Sequence, residues 1–230
     1  MSAEPVLSVR DVSSRYGGGV KLSGITLDVR AGELVSILGA NGAGKSTLLG
    51  VIAGLFRPAS GTIMLGQRDI TGMPAHRVVK AGIALVPQNH PIFESMTVAE
   101  NLAIGTVEAG EEVFSIFPNL AAKRKQRAGM LSGGERQMLS MAQAFLTKPK
   151  VYLLDEPSSG LAPRIVRQVF DTVRGLVDAG LTVLMVEQNA RAALELADRA
   201  YVMEQGRVAL EGNSREISAN DHVRRAYLGL

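Results

Sequence analysis

Cysteine is absent from this 230-residue sequence. That rules out disulfides and thiolate metal sites, and nothing in the chain requires an oxidising compartment. No apolar run approaches the ~20 residues that span a bilayer, and Met1-Ser2-Ala3-Glu4-Pro5 shows no signal-peptide pattern. A cytoplasmic chain is therefore expected. Charge of one sign is scarce as well: 25 basic against 22 acidic residues leave +3, too little to argue for nucleic acid as a partner. Internal repeats and low-complexity segments are missing too. What is present, 46% hydrophobic and 20% charged residues, suits a globular fold and not a disordered one. The length fits one compact domain, or one core with a lobe inserted into it.

The stretch that organises the chain is Gly39 to Thr47, GANGAGKST. Gly39, Ala40, Asn41, Gly42, Ala43, Gly44, Lys45 and Ser46 fit the phosphate-binding pattern G-x-x-x-x-G-K-[ST]. Glu33 to Leu38 ahead of it reads as a buried strand, and Lys45 to Gly54 behind it as a helix carrying Leu48, Leu49, Val51 and Ile52. Gly42 and Gly44 permit backbone turns that a Cβ would obstruct, so N–H groups and the positive helix end face an anion. Lys45 is then placed to reach the outer phosphates, and Ser46 to give its hydroxyl to Mg²⁺. A nucleoside triphosphate is the expected ligand.

Around this motif, Val6–Val12 and Val20–Val29 alternate as half-buried antiparallel strands, joined by a turn Arg15-Tyr16-Gly17-Gly18-Gly19. Tyr16 is either an ordinary turn tyrosine or a ring that stacks on the base of the nucleotide. Arg57 to Gly61 reads as a turn, Thr62–Leu65 as a short strand, and Thr71-Gly72-Met73-Pro74 as the start of a helix running to about Ala81. Ile83–Val86 is a buried strand closed by Pro87-Gln88. From Asn89 to Leu146 the chain reads as helix with one break, with a capping box at Thr97 and Glu100. The basic cluster Lys123 to Arg127 reads as a solvated helix face, with contact to anionic lipid or a partner as the minor alternative. Val151–Leu154 and Leu181–Val186 are further buried strands. Helices are expected from Pro163 to Gly180 and from Ala190 to Ala197. Tyr201–Met203 and Arg207–Leu210 form a hairpin, and the tail from Ser214 is helical. Strands alternating with helices imply an α/β fold with a mainly parallel sheet and a helical insertion at 89–146.

Two further constellations carry chemistry. Asp155 and Glu156 end an apolar strand: Asp155 suits Mg²⁺, and Glu156 suits orienting or deprotonating the attacking water. Ser132-Gly133-Gly134-Glu135 is a helix N-terminus with Ser132 as its cap. The glycine pair also makes it a second anion site. One triphosphate does not need two such sites on one chain, but two chains set head to tail would each bring one to a shared nucleotide.

GANGAGKST, LSGGERQ (131–137), VYLLDEP (151–157) and the lone Gln88 after a strand together resemble the ATP-binding cassette (ABC) ATPases, from about Val6 to Leu230. That resemblance implies a phosphate-loop NTPase of RecA-like fold, with an N-terminal antiparallel β part and an inserted helical subdomain. The chain would be one cassette, with 1–88 and 147–230 as its catalytic core and 89–146 as its helical part. ATP and Mg²⁺ would be its cofactors, with Ser46, Gln88 and Asp155 about the metal. Tyr16 would stack on adenine, Gln88 would sense Mg²⁺ and the attacking water, and Glu156 would be the catalytic base. Ser132, Gly133 and Gly134 would contact the γ-phosphate held by the opposite subunit, and Ser159 to Ala162 would cross the dimer interface. Most of the family has histidine where this chain has Gln188; an amide still donates to the γ-phosphate but carries no proton.

The combination of VEQN (186–189), PSSGLAP (157–163), LSGGERQML and the tail Ala226-Tyr227-Leu228-Gly229 is similar to the smaller ATPase of branched-chain amino acid importers. Urea and short-chain amide importers are an open alternative. Such a subunit would sit at the inner face of the membrane, bound to transmembrane permeases and a second cassette. The permeases would dock near Gln88 to Glu100, where Ile92, Phe93, Met96 and Val98 fit either docking or core packing. A soluble cassette acting on DNA or ribosomes would be expected to carry coiled-coil insertions or a second cassette, which this chain lacks. A single-site kinase or GTPase would not need LSGGERQ. Dinucleotide binding fails because the glycine spacing ends in Lys45-Ser46.

Overall fold

The structure is a computed structural model. It describes residues 4–16, 19–89, 91–104 and 111–229, with the side chains of 16, 19 and 20 left out. The first elements are β1 (Leu7–Tyr16), β2 (Gly19–Val29), β3 (Leu34–Leu38), α1 (Lys45–Ile52), β4 (Ser60–Leu65), β5 (Arg68–Asp69), α2 (Ala75–Ala81) and β6 (Ile83–Val86). A helical stretch follows, with α3 (Val98–Ala103), α4 (Glu112–Ile116), α5 (Pro118–Ala121), a 3-10 turn at Ala128–Met130 and α6 (Gly133–Leu146). The chain then returns as β7 (Val151–Asp155), α7 (Pro163–Asp178), β8 (Thr182–Glu187), α8 (Ala190–Leu196), β9 (Arg199–Glu204) and β10 (Arg207–Asn213). It closes on α9 (Ser214–Ala219), α10 (Asp221–Val223) and a π-helical turn at Arg224–Leu228.

Two sheets carry these elements. One is antiparallel, in the order β2-β1-β4-β5. The other runs β10-β9-β3-β8-β7-β6 and is parallel except for the edge hairpin strand β10. Every residue of β3 and β8 is buried, as the central strands of a two-sided sheet must be. Alternation then splits their side chains between two layers. Val183 and Met185 join Tyr152 and Leu154 against α6, α7 and α8. Leu184 and Val186 join Val35, Ile37 and Leu153 against α1 and the antiparallel sheet. Leu102, Phe117 and Leu120 of the helical stretch belong to the first layer. The buried Tyr152 hydroxyl donates to the Met141 carbonyl and pins β7 to α6.

Register explains why the site lies where it does. Leu38 pairs with Glu187 and Val202 across β3, β8 and β9, Asp155 with Val186 across β7 and β8, and Val86 with Leu154 across β6 and β7. The phosphate loop, Gln88, Glu156 and Gln188 therefore all leave one edge of the sheet, at the carboxyl ends of its strands.

Several local expectations are corrected. Arg15 and Tyr16 belong to β1 and not to a turn, and Ser60 and Gly61 already belong to β4. Pro74 is the N-cap of α2, while Thr71 turns back and accepts from the Ile63 N–H at 2.8 Å. The stretch from 89 to 146 is broken several times, because Pro118 opens α5 and the Ser132 cap opens α6. Lys123 to Arg127 is a turn and not a helix face. Its backbone is committed to α3, whose Val98 and Ala99 N–H groups donate to the Gln126 and Arg124 carbonyls at 2.9 Å each. Two of its four charges are committed too: Lys123 pairs with Glu135 at 2.7 Å, and Arg124 grips Glu111 through Nη1 and Nη2 and lies over the Phe114 ring. Val98 is fully buried in the core while Phe93 is 55% exposed, which divides the four candidate docking residues.

Candidate functional site

The phosphate loop is held by close backbone contact. A Cβ on Gly39 would stand 2.4 Å from the Met203 carbonyl oxygen, and Gly44 has φ +102° with Lys21 O 2.9 Å from its would-be Cβ. Only glycine fits either place. The turn between β9 and β10 closes the cradle, with Gly206 N–H donating to Ala43 O at 3.0 Å. Gly44 is the N-cap of α1 and makes no side-chain cap bond, so the helix end presents backbone N–H groups. Lys45 is 4% exposed; its ammonium donates to Gly39 O at 2.8 Å and lies 3.3 Å from Glu156 Oε1. A buried cation needs such compensation.

The carboxylates meet this loop from β7. Ser46 Oγ donates to Asp155 Oδ1 at 2.8 Å. Burial raises the Asp155 carboxyl above its ordinary range, against the Ser46 hydrogen bond that lowers it. Glu156 holds φ +45°, a left-handed conformation that costs a non-glycine residue about 1–2 kcal/mol. Its N–H donates to Val186 O at 3.0 Å and its carbonyl accepts from Ser159 N–H at 3.0 Å. The Gln88 amide bridges Glu156 Oε2 at 3.4 Å and Ser159 Oγ at 3.0 Å. Asn41, Lys45, Ser46, Gln88, Glu156 and Gln188 line one cleft of about 450 Å³.

Ser132, Gly133 and Gly134 do not line that cleft. They cap α6 in a full capping box, with Glu135 N–H on Ser132 Oγ and Ser132 N–H on Glu135 Oε2. The glycines also serve packing: a Cβ on Gly134 would fall 2.1 Å from Ile165 Cγ2, and one on Gly133 3.2 Å from Leu161 Cδ2. Tyr16 ends β1, and its side chain lies outside the described residues.

Sequence reasoning gave no role to Glu187, although the structure makes it a hub. It is 2% exposed and accepts from Ser158 N–H at 2.9 Å, Gln188 N–H at 3.2 Å and Asn189 N–H at 3.4 Å. Burial pushes its carboxyl up, the hydrogen bonds from Ser158 and Asn189 pull it down, and the Glu156 charge adds to the rise. The available signal was an acidic residue closing an otherwise apolar strand, the same pattern that marks Asp155. Ser159, expected in the interface loop, also bonds Gln88, 71 residues away in sequence.

A parallel sheet that delivers an anion-binding helix end and a pair of carboxylates to one edge is the construction of a phosphate-loop nucleoside triphosphatase. Residues 22–159 match the family profile described as ABC transporter. The chain is 44% identical to the high-affinity branched-chain amino acid transport ATP-binding protein BraG of Pseudomonas aeruginosa, over 97% of this chain and 100% of that one. It is 40% identical to the probable branched-chain amino acid transport ATP-binding protein LivF of Archaeoglobus fulgidus, over 90% and 91% of the two chains. The ADP conformation of MJ1267, an ATP-binding cassette of an ABC transporter, superposes with a TM-score of 0.87 at 28% identity, covering 99% of this chain and all of that one. The chain belongs to the ABC transporter family, as an ATP-binding and ATP-hydrolysing cassette.

Proposed function

We propose that this chain energises uptake of branched-chain amino acids as one cassette of an importer, docked from the cytoplasmic side on transmembrane permeases and paired with a second cassette. The catalytic core comprises 1–88 and 147–230, and 89–146 is the helical part that carries LSGGERQ. The observation that carries the hydrolytic reading is Gln88 bridging Glu156 and Ser159 beside a buried Lys45. The likeness to the two named relatives carries the substrate class.

The donor set fits Mg²⁺: Ser46 Oγ and Asp155 Oδ1 are hard oxygens brought to 2.8 Å of each other at the mouth of the phosphate loop. Mg²⁺, when bound with ATP, neutralises charge on the β- and γ-phosphates. Lys45 adds a cation to the same oxygens, and the loop N–H groups cradle them. Glu156 accepts the proton of the attacking water, which the Gln88 amide orients. Gln188 donates its amide N–H to the γ-phosphate. Ser132, Gly133 and Gly134 complete the site on the nucleotide of the paired cassette, which is why they stand outside this chain's own cleft. Tyr16 stacks on adenine.

The test is affinity capture of the tagged chain from detergent-solubilised native membranes, with partners identified by mass spectrometry. Two permeases, a second cassette and a binding protein for branched-chain amino acids are expected. A binding protein for urea or amides would replace the substrate class, and recovery of soluble or ribosomal proteins alone would overturn the importer reading.

A further inference from the structure

We propose that Glu187 is a positioning residue of hydrolysis: its buried carboxylate clamps the loop that follows Glu156 to the loop that carries Gln188. The proposal rests on the hydrolytic reading above. Oε1 accepts from Ser158 N–H, in the loop after β7, while Oε2 accepts from Gln188 and Asn189 N–H, in the loop after β8. One side chain thus holds two loops that share no covalent neighbourhood.

Three observations give the clamp its consequence. Glu156 sits at φ +45°, and such a conformation persists only where the surroundings over-determine it. Its own backbone is held on both sides, by Val186 O and by Ser159 N–H, and Glu187 fixes Ser158, one of the two residues between Glu156 and Ser159. Next, Ser159 is the nearer hydrogen-bond partner of Gln88, at 3.0 Å against 3.4 Å to Glu156. Moving Ser158 therefore moves the group that aims Gln88. Finally, the partners that hold Glu187 among the described residues are the backbone N–H groups of Ser158, Gln188 and Asn189 together with the Ser158 side chain, all of them donors, with another carboxylate, Glu156, close enough to raise its pKa. Burying an anion beside an anion is costly. A carboxylate alone offers two acceptor oxygens and no donor, so it alone serves both loops at once. A glutamine of the same size has one acceptor oxygen, and its NH₂ would confront N–H donors on the other side.

The experiment compares the parent, Glu187→Gln and Glu187→Asp in the full chain. For Glu187→Gln, kcat for ATP is expected to fall about tenfold while Kd for ATP and Tm change little. Glu187→Asp, which keeps both oxygens, is expected to recover part of kcat. Amide exchange at Ser158, Gln188 and Asn189 is expected to quicken about tenfold in Glu187→Gln, with the rest of β7 and β8 unchanged. Unaltered exchange in both loops overturns the clamp whether or not the chain hydrolyses ATP. An equal loss of kcat and of ATP affinity, or failure of both variants to fold, makes Glu187 merely structural and also overturns it. A parent that binds but never hydrolyses ATP, alone or with its permeases, defeats the hydrolytic reading instead, and with it the kinetic part of this one.

Discussion

Ser46 and Asp155 stand 109 residues apart in sequence and are joined by a hydrogen bond of 2.8 Å. The first residues of a helix and the last residue of a strand meet because β3 and β7 both flank β8. In the proposed reading this pair holds Mg²⁺, and removing either oxygen tests that assignment. Asp155→Asn is expected to weaken Mg²⁺-dependent ATP binding at least about tenfold, the scale seen even for groups one shell further from a metal. Isothermal titration with and without Mg²⁺ measures it, and equal affinity in parent and variant would refute the assignment.

The same carboxyl predicts a pH dependence. Burial holds Asp155 above its ordinary value of 3.8. A carboxyl raised in the folded state keeps its proton to higher pH than in the unfolded chain. Its contribution to stability is therefore fully present at acid pH and is lost as pH rises through the folded value. The proposed Mg²⁺ site needs the ionised form, so the rise in Tm produced by Mg²⁺ with ATP is expected to shrink steadily from neutral to acid pH. A rise that does not vary with pH would contradict this.

In the proposed mechanism Glu156→Gln removes the proton acceptor and keeps the size of the side chain. General-base catalysis contributes roughly 10²–10⁴-fold, so hydrolysis is expected to fall by about that factor while ATP binding persists. Size-exclusion chromatography with ATP should show the variant as a persistent dimer. ATP turnover at the parental rate would remove Glu156 from its role.

Gly134→Ala tests packing at the start of α6. The new Cβ would lie 2.1 Å from Ile165 Cγ2, and overpacking of this kind costs about 1–3 kcal/mol. Urea denaturation should show that loss, and the double variant with Ile165→Ala should recover part of it. Destabilisation that Ile165→Ala fails to relieve would place its cause elsewhere.

The C-terminal tail predicts a second pH effect. Glu204 Oε1 takes His222 Nε2 at 2.7 Å and the Tyr227 hydroxyl at 3.1 Å. The His222 hydrogen bond holds Glu204 below its ordinary 4.5. A depressed carboxyl contributes stability that is whole above its unfolded value and lost as pH falls through the folded one. Protection of residues 221–229 from hydrogen exchange is expected to hold above pH 4.5 and to fade below it. Glu204→Gln should abolish that pH dependence.

Much of this was legible in the residues themselves. Gly39 to Ser46 announces its turn because Gly39, Gly44, Lys45 and Ser46 each have a steric or electrostatic reason to stand where they do. Strands such as Val151–Leu154 announce themselves because both faces are buried. What escaped depended on distant partners. Lys123 to Arg127 looks like a helix face until its carbonyls are seen serving α3. Glu187 reads as a strand end, and its three donors come from loops whose meeting only the sheet register decides. Gly134 reads as an anion-binding glycine, and Ile165 gives it a second reason that lies 31 positions away.

The strand that carries the phosphate loop is flanked by β8 and β9, whose residues lie about 150 positions further along the chain. During synthesis, GANGAGKST emerges early and must wait for almost the whole chain before it has a sheet to sit in. Leu34 to Leu38, buried on every residue in the finished protein, passes that interval as an unpaired apolar segment. Long-range parallel pairing of this sort is slow and aggregation-exposed. Nucleotide competence should thus appear on the ribosome abruptly, near residue 204 plus the length hidden in the exit tunnel.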